Sequence, residues 1–147
     1  MNDDFRDILA ALVAEGAKFL VVGAHALAVL GVPRITCDLD VLVEPTPENA
    51  RKVWRALARF GAPLNTLNIR ESDFFSANTV AQFGVPPYRI DIMTTISGVT
   101  FDDAWRDRIE DSMLGVRVPF IGRDAFIRNK RASGRKKDLG DIEALEG

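Results

Sequence analysis

The segment Asp38-Leu39-Asp40-Val41-Leu42-Val43 alternates with period two, and it constrains the chain more than any other feature. Successive side chains on a strand point to opposite faces. A strand here sends Leu39, Val41 and Val43 into a core and leaves Asp38 and Asp40 together on the other face. Two carboxylates about 4 Å apart repel by roughly 1 kcal/mol in water, and by about 4 kcal/mol at an effective dielectric near 20. A cation between them removes the conflict. Oxygen ligands from two or three carboxylates, completed by water and substrate phosphates, are the usual way to hold magnesium. A solvated strand face carries the same Asp-x-Asp pattern, so the pair needs supporting residues.

The segments around this strand predict a mixed α/β (α+β) domain, a small mixed sheet flanked by helices. Residues 4–15 read as an amphipathic helix with Phe5, Ile8, Leu9, Leu12 and Val13 on one face, Asp3 as its cap and Gly16 as its stop. Phe19 to Val22 is a short apolar run that reads as a buried strand. Gly23 ends it, and a short helix over Ala24 to Leu30 follows, closed by Gly31 and Pro33. Thr46-Pro47-Glu48 opens another helix, with proline at the first helical position. Ala50, Val53, Trp54 and Leu57 form its buried stripe, and Gly61 stops it. Residues 62–77 read as loop with a short helical turn.

Thr79 to Phe83 and Tyr88 to Thr94 read as a hairpin through Gly84-Val85-Pro86-Pro87. Thr100 caps a short helix through Trp105 and Arg106, and Arg117 to Phe120 makes one more strand. Asp124 to Arg131 and Lys136 to Leu145 read as closing helices, at about residues 123–147. In the hairpin's second strand, Tyr88, Ile90 and Ile92 face one side and Asp91 the other. If that strand lies beside Asp38–Val43, three carboxylates share one face.

The 147 residues are the size of one domain, taken here as 1–147. The net charge of -2 argues against bulk attraction to nucleic acid or an anionic membrane. Cys37, the single cysteine, cannot form an internal disulfide, and no Cys/His cluster could hold zinc. A cytoplasmic setting follows. The acidic Met1-Asn2-Asp3-Asp4 is unlike a signal peptide, and Ala17 to Leu30 is too short and too interrupted to span a bilayer.

Gly23-Ala24 joins a buried strand to a helix start. Glycine there lets backbone approach a phosphate, and the helix start offers free N–H groups. Many strand-to-helix turns use glycine for no such purpose. An apolar strand, Gly-small, thirteen residues, Asp-apolar-Asp-apolar and a later strand Asp together resemble the nucleotidyltransferase superfamily of the DNA polymerase β type. Val22-Gly23-Ala24-His25-Ala26, Pro33-Arg34-Ile35-Thr36-Cys37-Asp38-Leu39-Asp40 and Lys130-Arg131-Ala132-Ser133-Gly134-Arg135-Lys136-Lys137-Asp138-Leu139-Gly140-Asp141 are similar to one subgroup of it. These are small bacterial orphan nucleotidyltransferases related to the toxin of type IV toxin–antitoxin systems of the abortive-infection kind.

The resemblance spans roughly residues 17–145 and is weakest in the middle. It implies a minimal nucleotidyltransferase fold. It implies that Asp38, Asp40 and Asp91 bind two magnesium ions, and that Gly23 and Ala24 contact an NTP triphosphate. The family turn is usually Gly-Gly or Gly-Ser, so Ala24 keeps the backbone N–H and lacks a hydroxyl. Transfer of a nucleoside monophosphate to a hydroxyl acceptor is the implied activity. The acceptor, whether tRNA, protein or small molecule, is unassigned, and a homodimer or separately encoded partner is one way to complete its site. The competing expectation is a catalytically inactive binding or regulatory module.

Arg34, just before the metal strand, suits phosphate as a bidentate guanidinium, and suits an acidic neighbour equally. Lys130 and Lys137 are further candidate nucleotide contacts. Arg135, Lys136 and Lys137 sit near a helix N-terminus, where cations are unfavourable. An anion is therefore expected nearby, either phosphate or Asp138 and Asp141. His25 is expected to position the Asp38 loop by hydrogen bonding. Cys37, Trp54 and Trp105 are expected in the core.

Overall fold

A computed structural model describes residues 3–147; Met1 and Asn2 lie outside the described residues. Six strands form one mixed sheet in the order β3-β4-β2-β1-β6-β5. They are β1 (Phe19–Val22), β2 (Asp38–Val43), β3 (Val80–Phe83), β4 (Arg89–Met93), β5 (Ile109–Met113) and β6 (Val116–Phe120). The helices are α1 (Asp3–Ala14), α2 (Gly23–Val29), α3 (Pro47–Phe60), α4 (Phe101–Arg106), α5 (Arg123–Ser133) and α6 (Lys136–Glu146), with a single 3-10 turn over Glu71–Phe75. Among the described residues, no helix is long and apolar enough to cross a membrane.

Local sequence explains most of these boundaries. Thr46 Oγ1 accepts from the Asn49 N–H at 3.2 Å, Pro47 opens α3, and Gly61 closes it in the left-handed region at φ 93°. Thr100 caps α4 in the same way, through the Asp103 N–H. α1 already includes Asp3, so Asp3 stands in the first turn and does not precede it. Its Phe5, Ile8, Leu9 and Leu12 are buried, whereas Val13 is exposed. The expected stripe is thus one residue narrower than its spacing suggested. β5 is absent from the sequence reading. Only its ends are apolar, and Glu110, Asp111 and Ser112 are exposed on the sheet edge. It pairs antiparallel with β6 across a two-residue turn, Leu114-Gly115, both at positive φ.

The strands that carry Asp38, Asp40 and Asp91 are β2 and β4. They pair in parallel, with Asp38 opposite Arg89, Leu39 opposite Ile90 and Asp40 opposite Asp91. β1 runs antiparallel to β2 on its other side, with Val22 opposite Asp40. Leu39, Val41, Val43, Ile90 and Ile92 are all fully buried. The apolar alternation therefore fixes the register, and the register sets the carboxylates side by side.

Candidate active site

Asp38, Asp40 and Asp91 lie together where β2 and β4 run in parallel. Asp91 is 5% exposed and Asp40 half-buried, while the side chain of Asp38 is the most open of the three at 43%. Arg89 also sits in the cluster. Its Nε donates to Asp91 Oδ1 at 2.9 Å, and its Nη2 donates to Asp91 Oδ2 at 3.1 Å and to Asp38 Oδ2 at 3.4 Å. Sequence reasoning missed Arg89, although the signal was present. Period two on β4 puts Arg89 on the same face as Asp91.

Arg89 bonds Asp91 and Asp38, and none of its hydrogen bonds reaches Asp40. The consequence falls on Asp40, whose carboxyl is pushed up to about 6. Burial is the main cause, followed by the charge of Asp91 and a hydrogen bond shared with it, then the charge of Asp38; Lys130 pulls the other way. The shift has a direct consequence for folding. A carboxyl whose folded value lies above its unfolded value of 3.8 binds more protons in the folded state between those values. Metal-free protein is therefore expected to gain stability as pH falls from about 7 toward 4, by on the order of 2 kcal/mol. Asp40→Asn is expected to be more stable than wild type at pH 7.5 and to lose that pH slope. Urea unfolding across the pH range with chelator present measures both, and an unchanged slope in Asp40→Asn would refute the assignment.

The Gly23 turn touches this cluster directly. Gly23 has φ 69°, and a Cβ built on it would lie 2.4 Å from Asp40 Oδ2. Both the backbone conformation and the nearby carboxylate require glycine. Ala24 follows in the first turn of α2, whose N-cap Val22 offers no side-chain cap. His25 lies one residue further on. Its ring meets Phe5 edge-on at 5.8 Å. Burial lowers its basicity, and its buried Nε2 has no partner among the described residues.

The closing helices form the opposite wall. A cavity of about 250 Å³ is lined by Val22, Gly23 and Asp40 on one side and by Asn129, Lys130, Ser133 and Arg135 on the other. Lys130 thus lines the same cavity as Asp40. It also pairs with Asp138 at 3.5 Å. Asp138 is fully buried and accepts from Ser133 Oγ at 2.7 Å and Arg135 Nε at 2.7 Å. Burial alone would raise its carboxyl, but Arg135, Ser133 and Lys130 together hold it well below the usual carboxylate range. Within the basic cluster at the start of α6, Arg135 is thus paired with a protein acid.

Two other candidates fall elsewhere. Arg34 donates to Asp141, whose side chain is 6% exposed, and so ties the loop before β2 to α6. Lys137 is exposed on α6 and lines neither cavity beside the carboxylates. Cys37 is exposed, not in the core, because residues 31–37 form a surface loop ending at β2. Trp54 and Trp105 are partly buried against the core, and Trp105 is flanked by the Lys18 and Arg108 cations at 5.0 and 4.0 Å.

Carboxylate oxygens are the donor type that magnesium takes. Among the described residues, no group of three or more His, Cys, Asp or Glu is placed so that it could hold a metal ion as the side chains stand. Arg89 bridges Asp38 and Asp91.

The fold has a counterpart among solved structures. A crystal structure from Thermotoga maritima, provisionally assigned as a nucleotidyltransferase, matches with a TM-score of 0.60 at 19% identity, over 97% of this chain and 86% of that one. The fold is the nucleotidyltransferase fold. No family profile matches the sequence, and no curated protein is significantly similar to it. Within the nucleotidyltransferase fold, the β2–β4 pair and the Gly23 turn form one face, and α5 and α6 close over it.

Proposed function

We propose that this chain is a magnesium-dependent nucleotidyltransferase that moves a nucleoside monophosphate from an NTP to a hydroxyl acceptor. The observation that carries the reading is the register Asp40 opposite Asp91, which sets three carboxylates beside a glycine turn and a cavity holding Lys130. Asp38, Asp40 and Asp91 would hold the metal, which when bound supplies charge neutralisation for the phosphates and activation of the attacking oxygen. Gly23 lets the polyphosphate approach backbone N–H groups without obstruction. Lys130 and Ser133 offer a cation and a hydroxyl to phosphate oxygens in the same cavity. Arg89 holds Asp91 in place. Catalysis on this plan comes from positioning and electrostatics. The resemblance to abortive-infection toxins extends the proposal to a toxin–antitoxin setting in a bacterial cytoplasm.

The test uses NTP labelled at the α-phosphate, with magnesium. Wild type is expected to release pyrophosphate and transfer label. Asp40→Asn is expected to lose activity by on the order of a thousandfold, since it removes a charged ligand and leaves the fold. Labelling unchanged in Asp40→Asn would reject the site.

One observation favours a second reading. Arg89 already neutralises Asp38 and Asp91, as it would in a metal-free binding module working with a partner protein. Calorimetry separates the two readings: the enzyme binds nucleotide only with magnesium present, and the module binds none in that way.

A further inference from the structure

β3 is an edge strand, with β4 on one side and no strand on the other. Two backbone hydrogen bonds fix which of its groups face outward. The Thr94 N–H donates to the Thr79 carbonyl at 3.0 Å, and the Arg89 N–H donates away from β3, to the Cys37 carbonyl at 2.9 Å. Thr79 and Thr94 extend the register in which Ala81 lies opposite Ile92 and Phe83 opposite Ile90. Along an antiparallel strand the backbone groups point alternately to one neighbour and the other. Thr79, Ala81 and Phe83 therefore turn toward β4, and Val80 and Gln82 turn their N–H and C=O groups outward. Among the described residues, no other backbone group bonds these four.

The two edges of the sheet differ in charge. β5 carries exposed Glu110 and Asp111, and charges of this kind guard an edge against pairing with another strand. β3 has no such guard. No charged side chain occurs from Phe74 to Tyr88, in a chain that is 27% charged. Within that run Phe75, Val80, Val85 and Tyr88 are exposed.

We propose that β3 pairs antiparallel with β3 of a second copy of this chain, about a two-fold axis at Ala81. The proposal goes beyond the nucleotidyl-transfer reading and does not depend on it. An antiparallel edge can match itself, because a two-fold interface sets one patch against the same patch. At β3 uncharged groups meet uncharged groups. The same operation at β5 would set Glu110 and Asp111 against the acids of the other copy. With the two Ala81 residues opposite each other, Val80 lies opposite Gln82 of the second copy. The outward N–H and C=O groups of Val80 and Gln82 are then all satisfied in both copies. The central pair is of the type without hydrogen bonds, in which side chains approach most closely, and alanine is small enough to stand there.

The axis runs perpendicular to the sheet, so both copies keep Ala81 and Phe83 on the core side. Val80 and Gln82 take the other side, where Gln82 is opposite Asp91. Both carboxylate clusters thus face the same way on one continuous sheet. A cavity of about 330 Å³, lined by Asp38, Gln82, Tyr88 and Arg89 among others, opens beside each cluster. Val80 of the second copy stands against Gln82 at its rim, so each copy supplies part of the other's wall.

The experiment is sedimentation velocity of the full chain over a concentration series, with amide hydrogen exchange followed by NMR at both ends of it. Wild type is expected to form a dimer. The Val80 and Gln82 amides should exchange more slowly as concentration rises, while the Ala81 and Phe83 amides stay protected throughout. Gln82→Pro removes an outward N–H and leaves the pairing with β4, a position at which an edge strand tolerates proline. Val80→Lys sets one ammonium group on the interface from each copy. Each variant is expected to weaken the dimer by about tenfold or more, with thermal unfolding at low concentration unchanged. A wild type that stays monomeric over the whole series overturns the proposal, and an edge that captures a strand only from another protein gives that result. A dimer that survives both variants, or one whose newly protected amides lie in residues 109–113, overturns it as well.

Discussion

Asp138→Ala is expected to lower stability by about 3 kcal/mol, or roughly 10 °C in Tm for a chain of this size. Asp138 is fully buried at the start of α6 and is the shared anion for Lys130, Ser133 and Arg135. Removing it leaves Lys130, whose side chain is only 14% exposed, without its ion pair and Ser133 without its acceptor. Most of the loss is the penalty for that stranded charge. Arg135→Ala is the control. Its side chain is 69% exposed, and its loss should cost about 1 kcal/mol or less. Thermal unfolding of the two variants checks the contrast. Equal losses would mean that the network is a surface feature. NTP affinity should fall in Asp138→Ala as well, because Lys130 would no longer be held at the wall of its cavity.

Gly23→Ala is expected to reduce transfer activity by on the order of a hundredfold or more, with a smaller loss of stability, about 1–2 kcal/mol. The new methyl would clash with Asp40 Oδ2 at a backbone conformation that L-residues rarely adopt. Asp40 must move, and the register partner Asp91 loses its neighbour. The effect is coupled, so a double-mutant cycle identifies it. Adding Asp40→Ala to Gly23→Ala should relieve part of the steric loss of stability, while activity stays absent. Strict additivity of the two stability changes would show that Gly23 matters for backbone conformation alone.

The legible parts of this chain were those where one local signal had one meaning. Thr46, Pro47 and Gly61 bracketed α3 because cap, first-turn proline and left-handed stop each act over a few residues. The β2 alternation predicted both its buried face and the shared face of Asp38 and Asp40. The pairing of β2 with β4 could be posed from sequence only as a condition, because Asp40 and Asp91 are brought together by tertiary register. β5 was invisible because an exposed edge strand needs no apolar face. Its Glu110-Asp111-Ser112 centre reads as loop. Arg34 illustrates a different difficulty. A guanidinium beside a metal strand suits phosphate, but its partner Asp141 lies 107 positions away, where no local pattern reveals it. Arg89 was within reach, since the rule that placed Asp91 places Arg89 with it.

The parallel pairing of β2 with β4 has a consequence for how variants of this protein can arise. A slip of one residue between these strands would turn Ile90 and Ile92 outward and bury Arg89 among the apolar side chains. The carboxylate geometry is therefore guarded by the same contacts that hold the domain together. Substitutions that retune the chemistry can accumulate in the hairpin loop and the closing helices, which do not set that spacing. The distance between the acids can change only together with the core. Diversification on this scaffold should alter what is bound long before it alters how the acids are spaced.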